Sequence, residues 1–503
     1  MQGKKSIQPK MLYQVSLDTL VAKDNFYRQL NRNLDLSFIY KETASYYGSE
    51  GQESIDPVVF FKICVVGYLN NINSDRRLIE FCSNRLDVRL YLQYDIDETL
   101  PWHSTISRTR QLYGEEVFLA LFRKVLSLCI EKGMVRGKRQ AVDSAFIKAN
   151  ASLDSVIARE VCNDVAVYVQ ELDEGSEYKV TPPVKENPSD QNDRQNSSKN
   201  GKNKTHYSTT DPDAKMSSKP GKPCQLNYYG QIVVDDACHV ITGANADFAN
   251  LRDSQCLQKV VTQAIENLRQ NHLSINQLLA DTNYSSGEAL DFIENKDIDA
   301  YIPNPGGYIP YRDGFIYNTQ LDQYECTKGN KAILTFITLA TGHHSGLTKK
   351  VYRSTTGACK DCPLKRSCLG KLSYKKITDS VDKPLYDKMY QKMQTSYAKR
   401  MAKIRSKTVE PVLGTLINFM NMKRVNTRGM TQANKHVIMA TLCYNLKKYL
   451  KFTSKKAHAV TMAIDAKQKG LKNIFLTPIK RYLTLSIVRP QNHKESNRTI
   501  VFN

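Results

Sequence analysis

Arg139 to Ser152, RQAVDSAFIKANAS, constrains this chain more than any other stretch. From Arg139 to Ile147 it is a run of small, β-prone and apolar residues with one carboxylate, Asp143, in its middle. Lys148-Ala149-Asn150-Ala151-Ser152 then breaks the pattern. A strand of this composition is expected to be buried, and an ionised carboxylate is costly to desolvate unless something pairs with it. The ordinary explanation for a single such residue is a strand-end or turn aspartate. Two further acidic positions far downstream, Asp281 and Glu410, turn the reading toward a site.

The 503 residues are enough for about two to four structural units around a sizeable core. Lys and Arg total 72 against 50 Asp and Glu, a net charge of +22 spread along the chain. A large basic enzyme meets polyanions, of which nucleic acid is the usual one. The rival partner is an anionic membrane surface. No apolar run of about 18 residues, signal pattern or lipidation motif is present, so a soluble intracellular protein without membrane contact is expected. The 12 cysteines are then expected as free thiols or metal ligands, not a disulfide framework.

Residues 1–135 read as a helical domain for DNA binding or dimerisation. Asp56-Pro57 opens one apolar helix, Ser74 caps a second, and Pro101 to Thr105 turns into a third with Ser104 or Thr105 as cap. Val117 to Cys129 carries an amphipathic stripe closed by Gly133. Residues 136–305 alternate strand and helix: the Asp143 strand, a helical piece, a polar tract over 171–204 that cannot bury a core, and a hairpin from Gln225 to Ala246. A helix through Leu257 to Leu268, a strand ending at Asp281, a helix capped by Ser285 or Ser286 and a strand from Asp299 follow. If the first and fourth strands are neighbours, Asp143 and Asp281 come side by side. Residues 306–380 are a Gly/Tyr/Lys-rich β region holding four cysteines. Residues 381–453 return to helix, a basic one over 382–404 and another beginning at Val409-Glu410-Pro411, and residues 454–503 are an appended tail.

Two strand aspartates and a helix glutamate on a basic chain suit a two-metal site for Mg²⁺ or Mn²⁺, since hard cations take a few carboxylates plus water and phosphate oxygens. With 50 acidic residues many such triples exist, and a Glu410 at a helix start would also favour its helix dipole. Cys359-x2-Cys362-x5-Cys368, with Cys326 as a distant fourth, has the makings of a tetrahedral Zn²⁺ site or of reduced structural thiols. The other cysteines (Cys64, Cys82, Cys129, Cys162, Cys224, Cys238, Cys256 and Cys443) sit mostly among apolar neighbours and are expected in the core. Lys148 and Asn150 beside the triad, and Arg405, Lys423, Arg424 and Arg428 around the Glu410 helix, are the candidates for DNA phosphates. The competing explanation for each is a solvated basic surface.

The words VDSAFIKANAS, ADTNYSSGEAL, RSKTVEPVLG and RGMTQANKHVIMATLCYNLKKYL resemble the catalytic blocks of DDE-type insertion-sequence transposases. Trp102 to Arg108, TDPDAKM at Thr210 to Met216 and the CxxCPLxxxC word resemble one subgroup of the large "IS four" superfamily. The resemblance spans roughly residues 15 to 450. It implies an α/β fold: a ribonuclease-H-like mixed-sheet core, a helical N-terminal domain, and a Cys-containing insertion between the second and third acids. It implies Asp143, Asp281 and Glu410 as the acidic triad, double-stranded DNA as partner at element ends and target, cleavage and strand transfer, and a homodimer on DNA in the bacterial cytoplasm, at the nucleoid. Family members often carry a basic residue seven positions after the glutamate; here that position is Ile417, and the next lysine is Lys423. Asn445 also matches a family word, and a cap or buried amide is its expected role. The rivals are a transposase-derived DNA-binding protein without catalysis and a metal-dependent nuclease on the same fold.

Overall fold

The computed structural model describes residues 15–48, 50, 54–159, 199–218, 221, 223–306, 308–329, 332–341 and 348–454. The chain divides into two compact units, residues 1–448 and 449–503. Of the second, residues 449–454 are described and are helical. The appended tail from 455, residues 160–170 with Cys162 and residues 171–198 of the polar tract lie outside the described residues; before them, where a helical piece was expected after the Asp143 strand, Leu153–Ser155 is a 3-10 turn and Val156–Ala158 a short strand.

Among the described residues, eight helices open the first unit: α1 (Leu17–Leu20), α2 (Phe26–Asn33), α3 (Phe38–Thr43), α4 (Pro57–Leu69), α5 (Asp75–Ser83), α6 (Leu86–Leu92), α7 (His103–Leu112) and α8 (Glu115–Glu131). Their boundaries follow local chemistry. The Asp56 carboxylate accepts from the backbone N–H groups of Val58 and Val59 at the start of α4, with Pro57 at the first helical position, where a missing N–H costs nothing. Ser74 caps α5. The α7 boundary differs from expectation: it begins at His103 after Trp102, and neither Ser104 nor Thr105 caps it because both already lie in its first turn. Phe60, Phe61, Tyr113 and Phe118 pack ring against ring in the core of this part. Arg110, almost fully buried, is held by two hydrogen bonds to Asp75 at 2.7 and 2.9 Å.

The next elements are β1 (Arg139–Lys148), β2 (Val156–Ala158), α9 (Lys199–Thr205), β3 (His206–Ser208), β4 (Lys215–Ser217), β5 (Gln225–Asp235), β6 (Ile241–Phe248), α10 (Asp253–Arg269), β7 (Gln277–Leu279), α11 (Gly287–Asn295) and β8 (Asp299–Tyr301). α9 corrects the expectation of a wholly unstructured polar tract, since its last residues form a short helix. Six strands make the central sheet in the order β4-β5-β1-β7-β8, with β6 also on β5. β5 runs antiparallel to β1 and β6, whereas β7 runs parallel to β1 and β8 parallel to β7. The β1–β7 register pairs Ala141 with Leu279. Asp143 and Asp281 each lie two residues beyond that pair, so the two carboxylates leave neighbouring strands at the same level and on the same face.

A second, five-stranded antiparallel sheet follows: β9 (Phe315–Asn318), β10 (Gln323–Cys326), β11 (Ile333–Thr341), β12 (Thr348–Ser354) and β13 (Lys376–Ser380), with the short α12 (Lys365–Leu369) between the last two. Then come α13 (Lys383–Met393), α14 (Ser396–Phe419) and a helix over 430–448, α15. The expected helix boundary at Val409-Glu410-Pro411 is overturned. The break falls earlier, where Thr395 caps α14 by accepting from the Ala398 N–H, and Pro411 lies inside a continuous helix. Proline there forfeits one helical hydrogen bond, and burial of Val409, Val412 and Leu416 holds the helix through it. Glu410 is therefore mid-helix, and the helix dipole gives it no special stabilisation.

α10 packs on β5 and β6, and α14 on β1, β5, β7 and β8. Ser144 bonds to Asp253 of α10 while its neighbour Asp143 bonds to Arg405 of α14. Successive strand residues point to opposite faces, so the two helices cover opposite faces of the sheet. Among the described residues no helix is long and apolar enough to cross a membrane.

Candidate active site

Asp143 leaves the middle of β1, and Asp281 follows the end of β7 as the cap of a one-turn 3-10 helix, Thr282–Tyr284. Asp143 is largely buried, with its side chain 16% exposed, and accepts from the Ser144 N–H at 2.8 Å. Asp281 accepts from the Asn283 N–H at 3.0 Å. Burial is the main cause that lifts both carboxyls above the ordinary aspartate value. For Asp143 the Ser144 N–H and Arg405 oppose the lift and Asp281 adds to it. For Asp281 the next cause is repulsion from Asp253, again opposed by Arg405.

Glu410 reaches the same place from α14. The guanidinium of Arg405, one and a half turns earlier on that helix, lies 3.1 Å from Asp143 and 4.0 Å from Glu410. Arg405 is 15% exposed and Glu410 61%. Asp143 and Glu410 thus share one cation supplied by the chain itself, and Asp281 lies near enough for its charge to act on Asp143. Among the described residues no three His, Cys, Asp or Glu side chains stand close enough together to hold a metal as placed.

The other candidates separate into two groups, each lining a cavity of its own. Lys148, Lys423 and Arg424, all exposed, line one cavity of about 510 Å³. The end of β1 and the segment after α14 are joined there: the Lys148 N–H donates to the Lys423 carbonyl at 3.1 Å and the Val425 N–H to the Lys148 carbonyl at 2.9 Å. Asn150 and Arg428 line a second cavity of about 490 Å³ together with Ser107 and Gln111 of α7. Asn150 bonds the Asn426 carbonyl and accepts from Arg424. Ile417, where a basic residue was looked for, lines the first cavity.

Asp253 was not legible in the sequence as part of this centre. It is 7% exposed, accepts from Ser144 Oγ at 2.5 Å, and charges the surroundings of Asp281 from the opposite face of the sheet. An aspartate in a first helical turn is commonplace, so no pattern marked it. Asn445 is fully buried and bonds both the N–H and the carbonyl of Ile241, the buried-amide role expected of it.

Cys326, Cys359, Cys362 and Cys368 all line one cavity of about 450 Å³ in the second sheet. Among the described residues every cysteine is a free thiol. Cys64, Cys82, Cys129, Cys256 and Cys443 are buried as expected, whereas Cys224 is exposed and Cys238 half-buried, because the first precedes β5 and the second sits in the turn after it, neither within the sheet.

No curated protein is significantly similar to the chain. A solved structure that resembles it is a piggyBac transposase in a synaptic complex with hairpin DNA, determined by cryo-EM. The likeness covers 85% of this chain and 74% of that one at 10% identity, with a TM-score of 0.31. So loose a superposition matches no residue to any other, and nothing below rests on it. Two family models match the sequence. Residues 15–112, α1 to α7, match a transposase domain. Residues 325–450, which contain Glu410, Arg405 and the four clustered cysteines but neither aspartate, match a transposase DDE domain. One transposase domain thus lies ahead of the central sheet and the other runs from the second sheet through the Glu410 helix, and together the two matches support a DDE-type transposase.

Proposed function

We propose that the chain binds the terminal inverted repeats of its own insertion sequence and catalyses DNA cleavage and strand transfer at Asp143, Asp281 and Glu410. The observation that carries this reading is the Arg405 guanidinium shared by Asp143 and Glu410, with Asp281 following the strand that runs parallel to and next to that of Asp143 and close enough for its charge to act on Asp143. The sheet order, with β5 antiparallel and β7 and β8 parallel to a central β1, supports a ribonuclease-H-like core.

The donor set fits hard divalent cations. All three groups are carboxylates, and a cationic side chain already rests between two of them. Asp143, Asp281 and Glu410 would hold two Mg²⁺ or Mn²⁺ ions. Such ions, when bound, activate the attacking water or 3′-hydroxyl and stabilise the leaving oxygen of an in-line phosphoryl transfer. The chain's own contribution is to fix the two aspartates on a rigid sheet and to neutralise phosphates nearby. Lys148, Lys423 and Arg424 are suited to the backbone next to the scissile bond, and Asn150 and Arg428 to the flanking duplex. The neutral Ile417 leaves phosphate contact in that cavity to Lys423 and Arg424. On DNA the chain acts as a homodimer bridging two ends, in the bacterial cytoplasm where the element resides.

The test is strand cleavage on linear DNA carrying the flanks of the gene, with Mg²⁺ or Mn²⁺, beside Asp143→Asn, Asp281→Asn and Glu410→Gln. End-specific nicks in the wild type, lost in all three variants, are expected. Cutting without end preference would leave a nuclease, and end binding without cutting under either metal would leave a DNA-binding relic.

A further inference from the structure

We propose that Cys326, Cys359, Cys362 and Cys368 bind one Zn²⁺ ion as four thiolates and that this ion holds together the segment between β12 and β13. Three different pieces of chain supply the thiols: the end of β10, the turn after β12, and α12. All four face one cavity. Gly329, in the turn after β10, closes its wall. A Cβ added there would meet Cys362 Sγ at 2.6 Å, with Cys326 Sγ at 3.8 Å, so two thiols from separate segments flank the same position, and glycine leaves room for Cys362.

The surrounding structure is short of other means of cohesion. The core of the second sheet is Tyr324, Leu334, Tyr352 and Ile377. In the segment over 355–375, Leu369 is the one buried apolar side chain and α12 the one regular element. A piece this small with so little buried surface commonly relies on a disulfide or a metal. The described cysteines form no disulfide. Soft thiolate donors in a Cys-x2-Cys arrangement select zinc over the hard cations expected at the carboxylates.

Charge agrees with this. Four thiolates around Zn²⁺ carry a net charge of about −2, and Lys328, Lys365 and Lys375 line the same cavity. Each thiol gives up its proton to solvent as its Zn–S bond forms, four protons for four bonds. As placed, no three of the described ligand-type side chains span a single ion. Ligation therefore turns the thiols inward across the cavity, with the exposed Cys368 of α12 moving with its short helix.

This proposal is independent of the carboxylate chemistry. The full chain, purified without chelator, is assayed for zinc by mass spectrometry of the metal and by a chromogenic chelator after a mercurial has capped the thiols. About one zinc per chain, released only by the mercurial, is expected. Cys326→Ser and Cys362→Ser should lose it while Cys238→Ser, away from the cavity, keeps it. Should the cysteine variants fail to fold, cobalt exchange into the wild type decides: the visible bands of tetrahedral cobalt–thiolate are expected. Absence of zinc together with absence of those bands, zinc retained in both variants, or a disulfide found among the four by mass spectrometry overturns the proposal.

Discussion

Arg405 bonds Asp143 across 262 positions of sequence, inside a centre that otherwise holds only carboxylates. A cation entering that centre must displace it from Asp143. Arg405→Gln removes the competing charge and leaves a shorter, neutral polar side chain, so it should tighten Mn²⁺ binding in the absence of DNA. The gain should be about three- to tenfold, the worth of one partly buried ion pair. Titration calorimetry with Asp143→Asn alongside checks it. Unchanged or weaker binding in Arg405→Gln would sink the displacement idea, whereas undiminished binding in Asp143→Asn would sink the metal reading itself. Asp281 offers a test through pH. Burial and Asp253 hold its carboxyl above the ordinary value of 3.8. A group whose folded pKa is raised stabilises the fold below its unfolded pKa and loses that contribution as pH climbs through the folded one. Asp281→Asn keeps the acceptor for the Asn283 N–H and deletes the charge. In the presence of chelator it should raise the melting temperature at pH 7, with the gain shrinking as pH falls toward the ordinary value of 3.8. An equal gain at both pH values, or a loss at pH 7, would refute that account.

β6 shows how an element depends on side chains far from it. One edge of the strand pairs with β5, and its other edge is met by amides instead of another strand. Asn445 takes the N–H and carbonyl of Ile241, Gln263 the N–H of Ala244, and Asn434 the N–H of Ala246. An unpaired edge would be a template for aggregation, and α10 and α15 cover it. Asn445→Ala leaves two backbone groups of Ile241 buried without partners, a cost of about 2–5 kcal/mol. Chemical denaturation should report that loss, and a change under 1 kcal/mol would mean water replaces the amide. The strands that carry Asp143 and lead to Asp281 were legible as short apolar, β-prone runs, whereas their pairing side by side stayed a condition that only the sheet fulfils. The helix starts at Asp56, Ser74 and Ser286 were legible because caps are local chemistry. The course of α14 was not. Proline beside Glu410 reads locally as a helix start, and only packing against β1 and β7 carries the helix through it. The Asp143–Arg405 pair and the role of Asp253 depend on tertiary approach and leave no trace in spacing, whereas the four cysteines that share a cavity were marked by theirs.

At the scale of the whole molecule, the excess of 22 positive charges matters through where it is concentrated. The segment over 421–426 is pinned from two sides. Asn71 and Asn73, from the turn between α4 and α5, bond Asn421, Arg424 and Asn426. The end of β1 bonds it through Lys148 and Asn150. The helical N-terminal part and the sheet thus share one loop, and the exposed Lys148, Lys423 and Arg424 meet there around one cavity. Phosphate contacts release counterions, so each lost contact lowers the slope of log affinity against log salt by about 1. A Lys148→Ala, Lys423→Ala, Arg424→Ala triple variant should therefore bind element-end DNA more weakly with a slope reduced by about 2 to 3. Its preference for ends over random duplex should be little changed, because phosphates carry no sequence. Asn150 is neutral and reaches the second cavity with Ser107 and Gln111 of α7. Asn150→Ala should leave the slope intact while lowering affinity for ends more than for random DNA. Salt titrations by fluorescence anisotropy separate the two patterns. A slope that falls in Asn150→Ala, or stays constant in the triple variant, would move the DNA path away from this loop and onto another basic face of the chain.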